Sequence, residues 1–163
     1  MTYDTDISPE WAPRVIWRAS MIPFFIDEEG KIEMMFMIPS DQRWAGSSPQ
    51  MAKGRIEDEE THEETAIREA REELGLITGN IEHTHYFGVF LGRTHVYACR
   101  VHDKDRFGMY SQETDDVVWM TEDEFRISGR DIHQDVVSMV ADYAYYVMVD
   151  EKQEREAEEA LEG

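Results

Sequence analysis

The sequence predicts an α/β fold, and three observations predict it. Runs rich in Val, Ile, Phe, Tyr and Trp recur between turn signals, as strands do. Two stretches instead carry apolar residues at helical spacing, one around Ile67, Ala70 and Leu74 and one at Val136, Val140, Tyr143, Ala144 and Val147. The chain has 163 residues, is 41% hydrophobic and holds four Trp, seven Tyr and seven Phe, which suits a single domain over 1–163 with a sizeable core.

Residues 1–12 are polar, contain Pro9 and read as an irregular lead-in. Arg14 to Ile26 and Lys31 to Ile38 flank the turn signal Asp27-Glu28-Glu29-Gly30 and form a predicted hairpin. Pro23 lies inside the first strand and predicts an edge or a bulge, because proline cannot donate to a ladder. Pro39 to Pro49 is a loop, in which Trp44 beside Arg43 either stacks on a base near a phosphate or pins the loop to the core. Gln50 to Gly54 reads as a short strand and turn. Thr61 followed three residues later by Glu64 is a capping-box start, and Gly75 suits the left-handed residue beyond a helix end, so a helix is predicted from about Thr61 to Leu74.

After the Gly79-Asn80 turn, Ile81 to Leu91 and Thr94 to Val101 are strands joined by Gly92-Arg93. His83 and His85 share one strand face, where hydrogen-bonded histidines are the default over a zinc site. Tyr86 and Tyr97 are candidates either for base stacking or for cross-strand packing. His102 to Gln112 reads as a mobile loop. Glu113 to Met120 contains a strand with Trp119, and Thr121 to Phe125 starts a capped helix. The last long helix carries the Val136 to Val147 stripe, and residues 150–163 continue as an acidic, solvated helix end or tail.

Thirty-six acids against sixteen bases give a net charge of −20, which repels polyanions and argues against nucleic acid as a bulk partner. The lone Cys99 lies in a strand and reads as a small buried hydrophobe. With no basic-plus-apolar leader and no apolar run approaching about 18 residues, a soluble, cytoplasmic chain without a membrane partner is expected. The oligomeric state is not legible.

On the central helix, Glu69, Glu72 and Glu73 project within roughly 100° of one another, while Ile67, Ala70 and Leu74 occupy a separate arc. Like charges at i, i+4 destabilise an isolated helix by about 0.2 to 0.5 kcal/mol, so a positive partner is expected along the acidic edge. A hard divalent cation, bound through carboxylate oxygens and shared with substrate phosphates, is one such partner. The alternative is a solvated acidic face with ordinary Glu64–Arg68 and Arg68–Glu72 pairs.

From Gly54 through Glu60, Arg68, Glu69, Ala70, Glu72, Glu73 and Gly75 to Leu76, the spacing resembles the Nudix box at all of its defining positions. Ala52 departs from the family, where proline is common. The resemblance implies an α/β/α sandwich with a mixed central β-sheet and metal-dependent hydrolysis of a nucleoside diphosphate linked to another moiety. It implies magnesium, with manganese able to substitute, held by the Lys53 carbonyl, Glu60, Glu69, Glu72, Glu73 and Glu113. Asp115 and Asp116 rival Glu113 as the loop carboxylate. Arg68 would orient the carboxylates, with Glu69, Glu73 and Glu113 all open as general base. Arg43, Trp44, Lys53 and Tyr86 are the candidate substrate contacts. A free nucleotide such as a dinucleoside polyphosphate or a nucleoside triphosphate is favoured. The alternatives are an RNA 5′ end, ADP-ribose or a nucleotide sugar, and a non-catalytic nucleotide-binding module.

Overall fold

The computed structural model describes residues 15–163, the side chains of 44 and 45 excepted, so the lead-in over 1–12 and the Trp44 side chain lie outside the described residues. Strands β1 (Arg18–Ile26), β2 (Ile32–Pro39), β3 (Ala52–Arg55), β4 (Ile81–Phe90), β5 (Thr94–Val101) and β6 (Thr114–Met120) form one sheet. Its order is β4-β5-β1-β2-β6, with β3 pairing β1. Only β1 and β5 run parallel; the other pairs are antiparallel, which makes the sheet mixed. Helices α1 (Gln42–Ala45), α2 (His62–Leu74), α3 (Glu122–Ser128) and α4 (Gln134–Glu162) complete the chain.

Alternation along the central strands builds two cores, one on each face of the sheet. Ile22 and Phe24 of β1, Met34 and Phe36 of β2, and Val96 and Ala98 of β5 pack against α3 and α4 through Phe125, Val136, Val140 and Ala144. Their neighbours Ala19, Met21, Met35, Met37, Tyr97 and Cys99 pack against Ala66, Ala70 and Leu74 of α2. Both faces are covered, which is why these strands read as nearly unbroken apolar runs rather than as an apolar/polar alternation. The result is the α/β/α sandwich. Burial also pushes the Cys99 thiol up to about 12, leaving it an inert hydrophobe.

Two expectations change in the folded chain. Pro23 is not at an edge: β1 is central and Pro23 registers with Cys99 of β5. On its other side, β3 ends its register at Met21↔Ala52 and β2 begins at Phe24↔Met34, so Pro23 sits in the fork where a missing N–H breaks no ladder bond. The segment after β5 is also pinned rather than loose. The Asn80 side chain donates to the carbonyls of Asp103 and Arg106 and accepts from the Asp103 N–H, and Leu76 bridges Phe107.

Phe90 pairs with Thr94, so the β4–β5 turn is the three residues Leu91, Gly92 and Arg93, with positive φ at Leu91 (54°) and Gly92 (80°). His83 bonds the Tyr143 hydroxyl at 3.2 Å and His85 stacks on the same ring, so both serve packing against α4. α4 continues helical to Glu162, with every residue beyond 150 exposed. No helix among the described residues is long and apolar enough to cross a membrane.

Candidate active site

The site is built around α2. Thr61 caps its start: the side chain accepts from the Glu64 N–H at 3.1 Å, while Glu64 accepts from the Thr61 N–H at 3.0 Å. Gly75 ends it in the left-handed conformation, φ 76°. A Cβ there would also lie 2.1 Å from the Gly108 carbonyl oxygen. The last turn is then satisfied by the segment leading into β6. Gly108 N–H donates to the Gly75 carbonyl, Ser111 N–H to that of Glu72 and the Thr114 hydroxyl to that of Glu73. These bonds place Glu113 beside the acidic edge of α2.

Arg68 organises that edge. Its guanidinium donates through Nε to Glu60 Oε2 at 2.8 Å and through Nη2 to Glu60 Oε1 and the Arg55 carbonyl, both at 3.1 Å. Nη1 reaches Glu69 Oε1 at 2.9 Å and Glu72 Oε2 at 3.4 Å. Glu60 also accepts from the Thr65 hydroxyl and the Glu57 N–H, and these donors, Arg68 foremost, hold its carboxyl at about 2. Both Glu60 oxygens are therefore engaged in anchoring Arg68.

Glu69 lies over β3 at a point only glycine allows. A Cβ on Gly54 would fall 2.0 Å from Glu69 Oε1. Glu69 is pushed above the ordinary carboxylate range by burial, against the pull of Arg68. Glu73 is pushed further, to about 8, first by burial and then by Glu69, with Glu113 and Glu72 adding to it. Its Oε1 accepts the Lys53 N–H at 3.4 Å; its Oε2 is buried without a hydrogen-bond partner among the described residues.

Glu73 and Glu113 open onto a cavity of about 520 Å³ whose apolar lining includes Met37, Pro39 and Met51. Lys53 and Arg130 face the same space. Burial lowers the Lys53 ammonium, and Arg130 and Arg18 lower it further. Arg130, on the turn between α3 and α4, is held by its N–H to the Pro49 carbonyl at 2.9 Å and by Nη1 to Gln50 Oε1 at 3.1 Å.

Of the residues singled out in the sequence, Lys53, Glu69, Glu72, Glu73, Arg68 and Glu113 come together here. Arg43 stays outside, exposed and folded back on Asp41 at 3.1 Å. Tyr86 belongs to another cluster, with its hydroxyl on His95 Nδ1 and its ring stacked on His62. Arg130 escaped notice because a Gly-Arg pair between two helices carries no local signal; only the packing of that turn against Pro49 and Gln50 brings it to the cavity.

Among the described residues no three His, Cys, Asp or Glu side chains are already gathered to hold a metal ion, and Arg68 draws Glu69 and Glu72 to itself. The donors nevertheless fit a hard cation. They are carboxylate and carbonyl oxygens, and Glu73 Oε2 is a buried acceptor awaiting a positive partner.

A family model described as NUDIX domain matches residues 17–140. No curated protein matches the chain in sequence. Among solved structures, a C. elegans Ap4A hydrolase binary complex is 17% identical, with 79% of this chain and 97% of that chain covered and a TM-score of 0.62. RenU of M. smegmatis, a Nudix hydrolase, is 14% identical over 78% of this chain and 86% of its own, also at 0.62. The NUDIX domain of Shewanella oneidensis NrtR, complexed with ADP ribose, is 13% identical over 85% and 94%, with the same TM-score. At these identities the likeness is one of fold.

Proposed function

The chain belongs to the Nudix family, and on that premise we propose that it hydrolyses a pyrophosphate linkage in a free nucleotide bearing a polyphosphate, such as a dinucleoside polyphosphate or a nucleoside triphosphate. The observation that carries this reading is the cavity beside α2, whose lining brings the carboxylates Glu73 and Glu113 together with the cations Lys53 and Arg130. A net charge of −20 favours a small substrate over an RNA polyanion, since long-range repulsion scales with the charge on both partners.

The reading takes magnesium as the divalent ion, held by the Lys53 carbonyl, Glu69, Glu72 and Glu73 with Glu113 completing the set. When bound, such an ion would acidify water and neutralise charge on phosphoryl oxygens. The residues of the chain do the rest. Arg68, clamped by Glu60, fixes the rotamers of Glu69 and Glu72 before substrate arrives. The general base is whichever of Glu69, Glu73 and Glu113 is left free of the metal, and each stays open for that role. Lys53 offers its ammonium to phosphate, and the apolar lining excludes water from part of the cavity.

The test is magnesium-dependent hydrolysis across a panel of dinucleoside polyphosphates, nucleoside triphosphates, ADP-ribose, nucleotide sugars and 5′-triphosphorylated RNA, with products identified to locate the bond broken. Turnover of a free polyphosphate nucleotide is expected. A folded sample inert towards the whole panel would instead make this a nucleotide-binding module.

A further inference from the structure

A second cavity, of about 460 Å³, meets the acidic edge of α2 at Arg68 and Glu72, as the first meets it at Glu73. The segment leading into β6 runs past both: Gly108 and Met109 line the second, Gln112 and Glu113 the first. The four residues from Met109 to Glu113 span at most about 14 Å, a gap that a polyphosphate chain can cross.

Away from that edge the second cavity is apolar. Leu76, Ile77 and Met109 line it, and Met109 is 93% exposed. The backbone around Met109 is fixed on both sides. Gly108 N–H donates to the Gly75 carbonyl at 2.6 Å and Ser111 N–H to that of Glu72 at 2.7 Å, so the side chain is held in water and gains by being covered. Arg71 completes the lining, and its guanidinium has no ion pair among the described residues. A planar guanidinium and a polarisable thioether share one preferred partner, an aromatic ring. A phosphate would meet Arg71 but leave Met109 and Ile77 in water; a ring covers all three.

We infer that Arg71 and Met109 form a subsite for a second nucleobase, reached from the carboxylate edge by the far end of the polyphosphate. The substrate is then a dinucleoside polyphosphate, since a nucleoside triphosphate has no second base to fill this cavity. The word substrate rests on the hydrolase reading above; the ring subsite itself does not.

The experiment uses the full chain with magnesium and two ligands whose bridging oxygens are all replaced by methylene. One is the analogue of diadenosine tetraphosphate and the other that of adenosine 5′-tetraphosphate, so they differ by one adenosine. By titration calorimetry wild type is expected to bind the first about tenfold more tightly or better. Arg71→Gln and Met109→Ser, both at exposed side chains, should each weaken the first about fivefold and leave the second unchanged. In wild-type protein the first ligand, and not the second, should shield Met109 from peroxide oxidation to the sulfoxide, read by mass spectrometry, which needs no variant to fold. Equal affinity of wild type for the two ligands, folded variants that bind both as wild type does or weaken for both alike, or undiminished oxidation of Met109 under saturation, overturns the inference. Binding of the first ligand that depends on Arg71 and Met109 in a chain inert towards the substrate panel would keep the subsite and remove the hydrolase reading. Hydrolysis of diadenosine tetraphosphate with KM and Kd both indifferent to the two variants would do the reverse.

Discussion

Glu73→Gln is expected to make the metal-free protein more stable at alkaline pH while removing its activity. In the fold the Glu73 carboxyl sits at about 8 against an ordinary 4.5, because it is buried near Glu69 and Glu113. An acid raised on folding destabilises the native state as pH climbs through that window: the penalty is absent below 4.5 and complete above 8. At about 1.4 kcal/mol per pH unit the full shift corresponds to about 5 kcal/mol. The titration of Glu73 is coupled to that of Glu69, so about half of it, roughly 2 kcal/mol, is the better expectation for Glu73 alone. Glutamine keeps an oxygen for the Lys53 N–H and removes the charge.

Urea denaturation in EDTA at pH 5 and pH 8 measures this, read as the difference between wild type and variant. The difference cancels His133, whose folded value of about 3 makes stability fall as pH drops below 6.5 in both proteins. The variant should be close to wild type at pH 5 and about 2 kcal/mol more stable at pH 8. Magnesium should then stabilise wild type more than the variant, closing the gap by mass action. A variant no more stable than wild type at pH 8 without metal would refute the idea that Glu73 is held as a charge awaiting a cation.

Two further substitutions test the supports of the site. Gly54→Ala places a Cβ 2.0 Å from Glu69 Oε1; displacing that carboxylate by an ångström should lower kcat/KM by about a hundredfold with little change in Tm, since only a side-chain end must move. Unaltered kinetics would mean that Glu69 needs no fixed position. Arg68→Lys replaces a fork that reaches Glu60, Glu69 and the Arg55 carbonyl with a single point charge, so a stability loss of about 1–3 kcal/mol in urea and a fall in kcat/KM are expected. Full retention of both would show that the guanidinium geometry is dispensable.

Much of this was legible in the chain because the signals are local. Thr61 with Glu64, and Gly75 after Leu74, bound α2 within a residue, since capping bonds join groups three or four positions apart. The β1–β2 and β4–β5 hairpins were readable for the same reason. What escaped depends on partners distant in sequence. Pro23 was expected at an edge or a bulge because its missing N–H is visible in the sequence, whereas the fork between β2 and β3 that accommodates it is not.

The sequence by itself determined the acidic edge of α2 and the guanidinium among its carboxylates, because helical periodicity converts spacing directly into a shared face. Only the tertiary structure decided what faces that edge. Glu113 arrives through bonds from Ser111 and Thr114 to the end of α2, and Arg130 arrives through Pro49 and Gln50. That Glu73 Oε2 is buried without a hydrogen-bond partner among the described residues is likewise a property of packing, which depends on every element around a group and on no short stretch of chain.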